Sequence, residues 1–166
     1  MTERLTQLYH EYYASLVRML YRRTGDRDRA EDLAQETFAR ALQSPPENPR
    51  PWLFAVALNL VRDDGRRAVR QGRRLELYRE ERPQSAPSPE QTMDESQQTA
   101  AVRAALDTLA PRDREALLLK AEGFDYDEIA ATLGLAKGAI GTTLSRARRR
   151  LVEAYRAQEK DRHVAS

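Results

Sequence analysis

The chain has 166 residues, 40% hydrophobic and 33% charged, which suits one ordinary domain or two very small ones and excludes an enzyme with separate large cofactor and substrate domains. Its 28 basic and 26 acidic side chains leave a net charge of only +2, so the placement of charge matters more than its sum. With no cysteine and only His10 and His163, disulfides, thiolate metal sites and a cysteine nucleophile are excluded, and metalloenzyme chemistry has few groups to draw on.

From the N-terminus, Leu5, Leu8, Tyr9, Tyr12, Tyr13, Leu16, Val17 and Leu20 recur at three- and four-residue spacing, which predicts an amphipathic helix ended by Thr24-Gly25-Asp26. Asp26 can cap a second helix, with Ala30, Leu33, Ala34, Phe38, Ala41 and Leu42 on its apolar face, until Ser44-Pro45-Pro46 stops it. A third helix is expected to begin near Pro51, carry Trp52, Leu53, Ala55, Val56, Leu60 and Val61, and turn basic from Arg62 onward. Between Arg79 and Ala101 there is no Leu, Ile, Val, Phe, Tyr or Trp. That stretch reads as a flexible linker over 79–98. It separates a first half, 1–78, from a second, 99–158, followed by a short tail, 159–166.

The second half opens with a helix containing Val102 and Leu106, stopping before Pro111, which reopens a helix through Ala116 to Leu119. Gly123 closes that one. Asp125-Tyr126-Asp127-Glu128 has the form of a capping box, Ile129, Ala130 and Leu133 share one face, and Gly134 supplies a tight turn. A last helix from Lys137 turns Ile140, Leu144, Ala147 and Leu151 inward. A capped short helix, a glycine turn and a basic second helix form a helix-turn-helix pattern, and Lys137 to Arg150 holds five bases and no acid, which suggests DNA. In the first half, Arg62 to Arg79 holds seven arginines against three acids, a composition suited to phosphate contacts. Asp28, Glu31, Asp32, Gln35 and Glu36 instead line an acidic and amide stripe, which repels DNA and suits a basic protein partner. No apolar run is long enough to cross a bilayer and the polar start lacks a signal peptide, so a cytoplasmic protein with no membrane insertion is expected.

Ala30-Glu31-Asp32-Leu33-Ala34-Gln35-Glu36-Thr37-Phe38 resembles region 2 of bacterial sigma factors, and Trp52-Leu53, Ala57-Leu58-Asn59, Asp63 and Arg66 are similar to the run that continues it. Leu106 to Leu109, Arg114-Glu115, Gly123, Glu128-Ile129-Ala130 and Ser145-Arg146-Ala147-Arg148 resemble region 4. Two such regions joined by a short linker look like the extracytoplasmic-function (ECF) group of the sigma-70 family. The resemblance implies an all-α chain of two small helical domains, a region 2 bundle and a region 4 helix-turn-helix, acting as a promoter-specificity subunit of RNA polymerase, with no cofactor, metal or catalysis. It implies that Asp28, Glu31, Asp32, Gln35 and Glu36 dock on the clamp helices of the largest polymerase subunit. Asn48, Arg50, Asn59, Arg62, Asp63, Arg66, Arg67 and Arg70 would then face the minus-ten element, where one base is flipped out. Arg112, Arg114, Lys137, Gly138, Thr142, Thr143, Arg146 and Arg149 would face the minus-thirty-five element, with an apolar surface of the second half on the polymerase flap tip. Promoter DNA and core polymerase are the implied partners, and whether an anti-sigma factor is a third stays open. Leu58 stands where the family usually has Arg, Ala136 where it has a Ser cap, and Gly141, Thr142 and Thr143 where Lys, Ser and Arg are frequent. Two other classes stay in view: a free-standing helix-turn-helix regulator binding DNA as a dimer, and a metal-dependent nuclease using Asp63-Asp64.

Overall fold

The computed structural model describes the backbone of residues 2–75 and 96–164, and the side chains of residues 3–65 and 96–164. Most of the expected linker, and the side chains of Arg66, Arg67 and Arg70, lie outside the described residues. The described residues form α1 (Thr2–Thr24), α2 (Arg27–Gln43), α3 (Pro49–Leu75), α4 (Gln97–Asp107), α5 (Pro111–Ala121), α6 (Tyr126–Leu133) and α7 (Lys137–Val164), with no strand among them.

The expected punctuation operates. Gly25 ends α1 at φ 74°, and its N–H donates to the carbonyl of Tyr21 at 2.8 Å. Asp26 then caps α2 by accepting from the Arg29 N–H. The third helix begins at Pro49, two residues earlier than its sequence suggests. Pro49 and Pro51 both fall in the first turn, where a missing N–H leaves no intrahelical bond unmade, so neither proline blocks it. α4 ends at Asp107, and Thr108 and Leu109 close a tight turn on the carbonyls of Ala105 and Leu106. Pro111 disfavours helical backbone in the residue before it and restarts the chain as α5. α4 also takes in Gln97 and Gln98, which composition alone places in the linker, because Ser96 caps it by accepting from the Thr99 N–H.

α1 packs along α2 and α3, and α4, α5 and α6 pack around α7. Leu16, Met19, Leu20, Leu33, Phe38, Leu53 and Phe54 are buried in the first half, and Leu118, Leu119, Phe124, Ile129, Ile140 and Leu144 in the second. These residues form one continuous cluster, because α3 reaches α6 and α1 reaches α5. Phe54 and Phe124 meet edge to face, with ring centroids 4.8 Å apart. Leu58, the position where the family usually has Arg, lies fully inside this core.

Candidate nucleic-acid and protein interfaces

The helix-turn-helix is built locally. Asp125 accepts from the Glu128 N–H at 2.8 Å while Glu128 Oε1 accepts from the Asp125 N–H at 3.1 Å, so both halves of the capping box form. Gly134 then takes φ 67°, ψ 35°, a left-handed conformation that favours glycine, and turns the chain into α7. Lys137, Gly138, Thr142 and Arg149 stand exposed on α7, and Arg112 stands exposed on α5. Thr143 faces inward, its hydroxyl donating to the Ala139 carbonyl at 2.8 Å. Arg146 grips a buried carboxylate: its Nη2 and Nε donate to Asp113 at 2.7 and 3.1 Å. Those hydrogen bonds hold Asp113 below the usual carboxylate range. Arg114 is buried, its Nε has no hydrogen-bond partner, and burial foremost, then Arg23, pushes its guanidinium down.

On α2 the acidic stripe is fully presented: Asp28, Glu31, Asp32, Gln35 and Glu36 are all exposed. Glu36 pairs with Arg40 at 3.3 Å, and Gln35 donates to the Tyr13 hydroxyl at 3.3 Å. Asp28, Glu31 and Asp32 make no ion pair among the described residues. Beside the stripe runs an apolar groove between α1 and α2, lined by Leu5, Tyr9, Phe38, Ala39 and Leu42, and Leu42 is 54% exposed. A second apolar groove, lined by Val102, Leu151, Val152 and Tyr155, lies between α4 and α7.

On α3, Asn59, Arg62 and Asp63 are exposed, and Asn48 is exposed just before it. The two arginines of this surface among the described side chains, Arg50 and Arg62, are occupied. Arg62 Nε donates to Glu115 Oε1 at 2.8 Å, its Nη2 reaches the other carboxylate oxygen, and its Nη1 donates to Asn59 at 3.1 Å. Arg50 donates to Glu128 Oε2 at 2.6 Å and to the Glu122 carbonyl at 2.9 Å, with its guanidinium 4.1 Å from the Phe124 ring centroid. Among the described residues no three His, Cys, Asp or Glu side chains converge as metal ligands, and no helix is long and apolar enough to cross a membrane.

The model of Sigma-70 region 2 matches residues 8–71, and that of Sigma-70, region 4, matches residues 99–151. Over 160 residues the chain is 36% identical to the ECF RNA polymerase sigma factor SigL of Mycobacterium tuberculosis, with 87% of this chain and 84% of SigL covered. The chain belongs to the ECF group of sigma-70 factors. It is also 37% identical over 154 residues to the ECF RNA polymerase sigma factor SigE of Mycolicibacterium smegmatis, covering 87% of this chain but only 59% of SigE, so it spans less than two thirds of that relative. Its fold is similar to that of the sigma factor RpoE of Bartonella quintana, crystallised with the anti-sigma factor NepR, at TM-score 0.65 and 28% identity over 91% of this chain and 96% of that one.

In this ECF factor α1 to α3 thus carry region 2 and α4 to α7 region 4. Several residues that organise the surfaces escaped the sequence pattern. Asp113, Glu122, Arg18 and Arg22 belong to no motif of the sequence, and Glu115 enters it only through the Arg114-Glu115 likeness to region 4. Their partners lie 33 to 104 residues away, beyond the reach of any local periodicity.

Proposed function

We propose that this chain is a promoter-specificity subunit that binds core RNA polymerase, brings it to particular promoters and helps open the minus-ten region, without catalysing a reaction of its own. One observation supports this best: an exposed acidic row on α2, in which Asp28, Glu31 and Asp32 make no ion pair among the described residues, lies beside an apolar groove, and a helix-turn-helix with an open basic face on α7 occurs in the same chain. Carboxylates without partners attract a basic helix, the neighbouring groove offers it apolar contact, and DNA is repelled from that face. Asp28, Glu31, Asp32, Gln35 and Glu36 therefore take the clamp helices, and the groove of Val102, Leu151, Val152 and Tyr155 takes the flap tip. Asn48, Arg50, Asn59, Arg62, Asp63, Arg66, Arg67 and Arg70 receive the minus-ten strand, where contacts to a flipped base must recover the few kcal/mol that unstacking costs. Region 4 meets the minus-thirty-five duplex through Arg112, Lys137, Gly138, Thr142 and Arg149, whereas Thr143, Arg114 and Arg146 act from inside the domain or from its edge. The Bartonella quintana neighbour is crystallised with an anti-sigma factor, and such a factor is a further partner proposed here. The cytoplasm, where the polymerase works, is the proposed location.

The test is co-purification with core polymerase followed by transcription from a promoter library. Asp32→Ala combined with Gln35→Ala is expected to weaken polymerase binding by about 2 kcal/mol or more with helix content intact, since both side chains point into solvent. Tight promoter binding by the isolated protein, with no affinity for core polymerase, would overturn the proposal in favour of a dimeric regulator.

A further inference from the structure

Around Arg114 the pairing of charges leaves one cation over. Arg23 on α1 takes Asp107 at 3.5 Å, and Arg62 on α3 takes both carboxylate oxygens of Glu115. Arg114 on α5 makes no ion pair among the described residues, although Arg23, Asp107, Glu115 and Arg62 are the charges that act on it. It is also the most deeply buried of the three arginines, 9% exposed against side-chain exposures of 23% for Arg23 and 42% for Arg62. Its Nε is buried with no hydrogen-bond partner. A buried lysine or carboxylate can escape such a position by losing its charge, but a guanidinium keeps its proton, so the charge has to be met by an anion. Both nearby carboxylates are already held by other arginines.

We propose that Arg114, flanked by Arg23 and Arg62, anchors a binding site for a small phosphate-type oxyanion, either the free ion or the phosphate end of a small molecule. Guanidinium forks fit the edge of such an ion with two parallel N–H···O bonds, and its several oxygens accept from more than one arginine at once, which a chloride cannot do. In a site poor in water each charge-assisted hydrogen bond counts for more than it would on the surface. The partly exposed side chains of Arg23 and Arg62 give the ion its approach from solvent. Only a small ion reaches a group as little exposed as Arg114, so the site differs from the open cations Lys137 and Arg149, which face a duplex. It shares Arg62 with the proposed minus-ten surface but does not depend on that reading.

The test titrates the full chain with inorganic phosphate at constant ionic strength, read by phosphorus NMR line broadening and by thermal unfolding. Broadening is expected to saturate, and the melting temperature to rise by about 3–5 °C at about ten times the dissociation constant. Phosphate also strengthens apolar burial without binding, so the specific part is the difference from Arg114→Met, which keeps the aliphatic stem and should show neither the broadening nor the extra rise. Arg162→Met, the same change at an exposed position near the end of α7, should behave as wild type. Asp107→Asn releases Arg23 from an exposed pair and should tighten phosphate binding roughly twofold to fivefold. Because Asp107 is 54% exposed, that variant keeps its fold and carries the test even where Arg114→Met does not. Adenosine monophosphate, titrated in parallel, decides between the two sources: tighter binding than inorganic phosphate assigns the site to a phosphorylated small molecule, and weaker binding to the free ion. No saturable binding by wild type, equal binding by wild type and Arg114→Met, or no tightening in Asp107→Asn would overturn the proposal.

Discussion

At the scale of single residues, Arg146 and Asp113 carry a clear stability consequence. Arg146 lies in the basic run that suggests DNA, yet its fork closes on a carboxylate that is almost fully buried, and Arg150 adds a longer contact at 3.5 Å. A buried carboxylate held by charged donors loses support when it is neutralised or removed, and Asp113→Asn should cost ~1–2 kcal/mol, allowing for the exposed arginine ends. Its acidity is increased in the folded protein relative to an ordinary value of 3.8, chiefly by the hydrogen bonds from Arg146. A lowered folded value means that the contribution is complete above the ordinary range and disappears as pH falls through the folded value. Urea unfolding at pH 7 and at successive values below 4 should therefore show a gap between wild type and Asp113→Asn that closes toward the acid end. A gap independent of pH would show that packing, and not the ion pair, sets the difference. Arg114 gives the opposite expectation. Its Nε is buried without a partner, so Arg114→Met, which keeps the aliphatic bulk, should leave the melting temperature equal or higher.

At the scale of elements, the short helix α6 decides how α7 is presented. Eight residues are too few to be stable alone, so its ends carry unusual weight. Asp125→Ala removes the acceptor of the Glu128 N–H and should lower stability by about 1 kcal/mol. Gly134→Ala meets no atom within 4 Å, so steric crowding is no obstacle, yet φ 67° should make it cost roughly 1–2 kcal/mol through backbone strain alone. Both variants should weaken duplex binding by tilting α7, measured by anisotropy with a labelled promoter fragment. Lys137→Ala differs in kind: Lys137 is 70% exposed and shares only a surface pair with Asp127 at 3.1 Å. It should leave stability unchanged and lower the salt dependence of binding by about one ion.

For the whole molecule, the arginine–glutamate contacts and the shared core make the two sigma regions one body in the free protein. Cutting at a protease site inserted after Ser85 should leave two fragments that co-elute at low salt and bind each other more weakly at high salt, where the ion pairs are screened and the shared core is not. Fragments that separate at every salt concentration would show that covalent connection alone keeps the halves together. Asn59→Ala tests the division of labour on the same scale. Asn59 is exposed on α3 and far in sequence from the helix-turn-helix, so its loss should reduce permanganate-detected melting more than initial promoter binding.

The helices, their caps and their order are legible in the sequence, since these depend on interactions spanning a few residues: Asp26 and Asp125 as caps, Gly134 as the left-handed turn, and the three- and four-residue spacing of the apolar faces. So is the acidic stripe, because five residues on one exposed face of one helix need no distant partner to be recognised. α3 starts two residues before the expected Pro51 because Pro49 and Pro51 both fit a first turn, where neither N–H is needed. Which charges are free to act depends instead on how distant helices pack. Arg62 and Arg146 look like any other member of their basic runs and Arg50 like a lone base among prolines, but each is bound to a carboxylate 33 to 78 residues away, while Lys137 and Arg149 remain presented to solvent. Side-chain type sets what a guanidinium can bind, and only the approach of distant helices sets what it already holds.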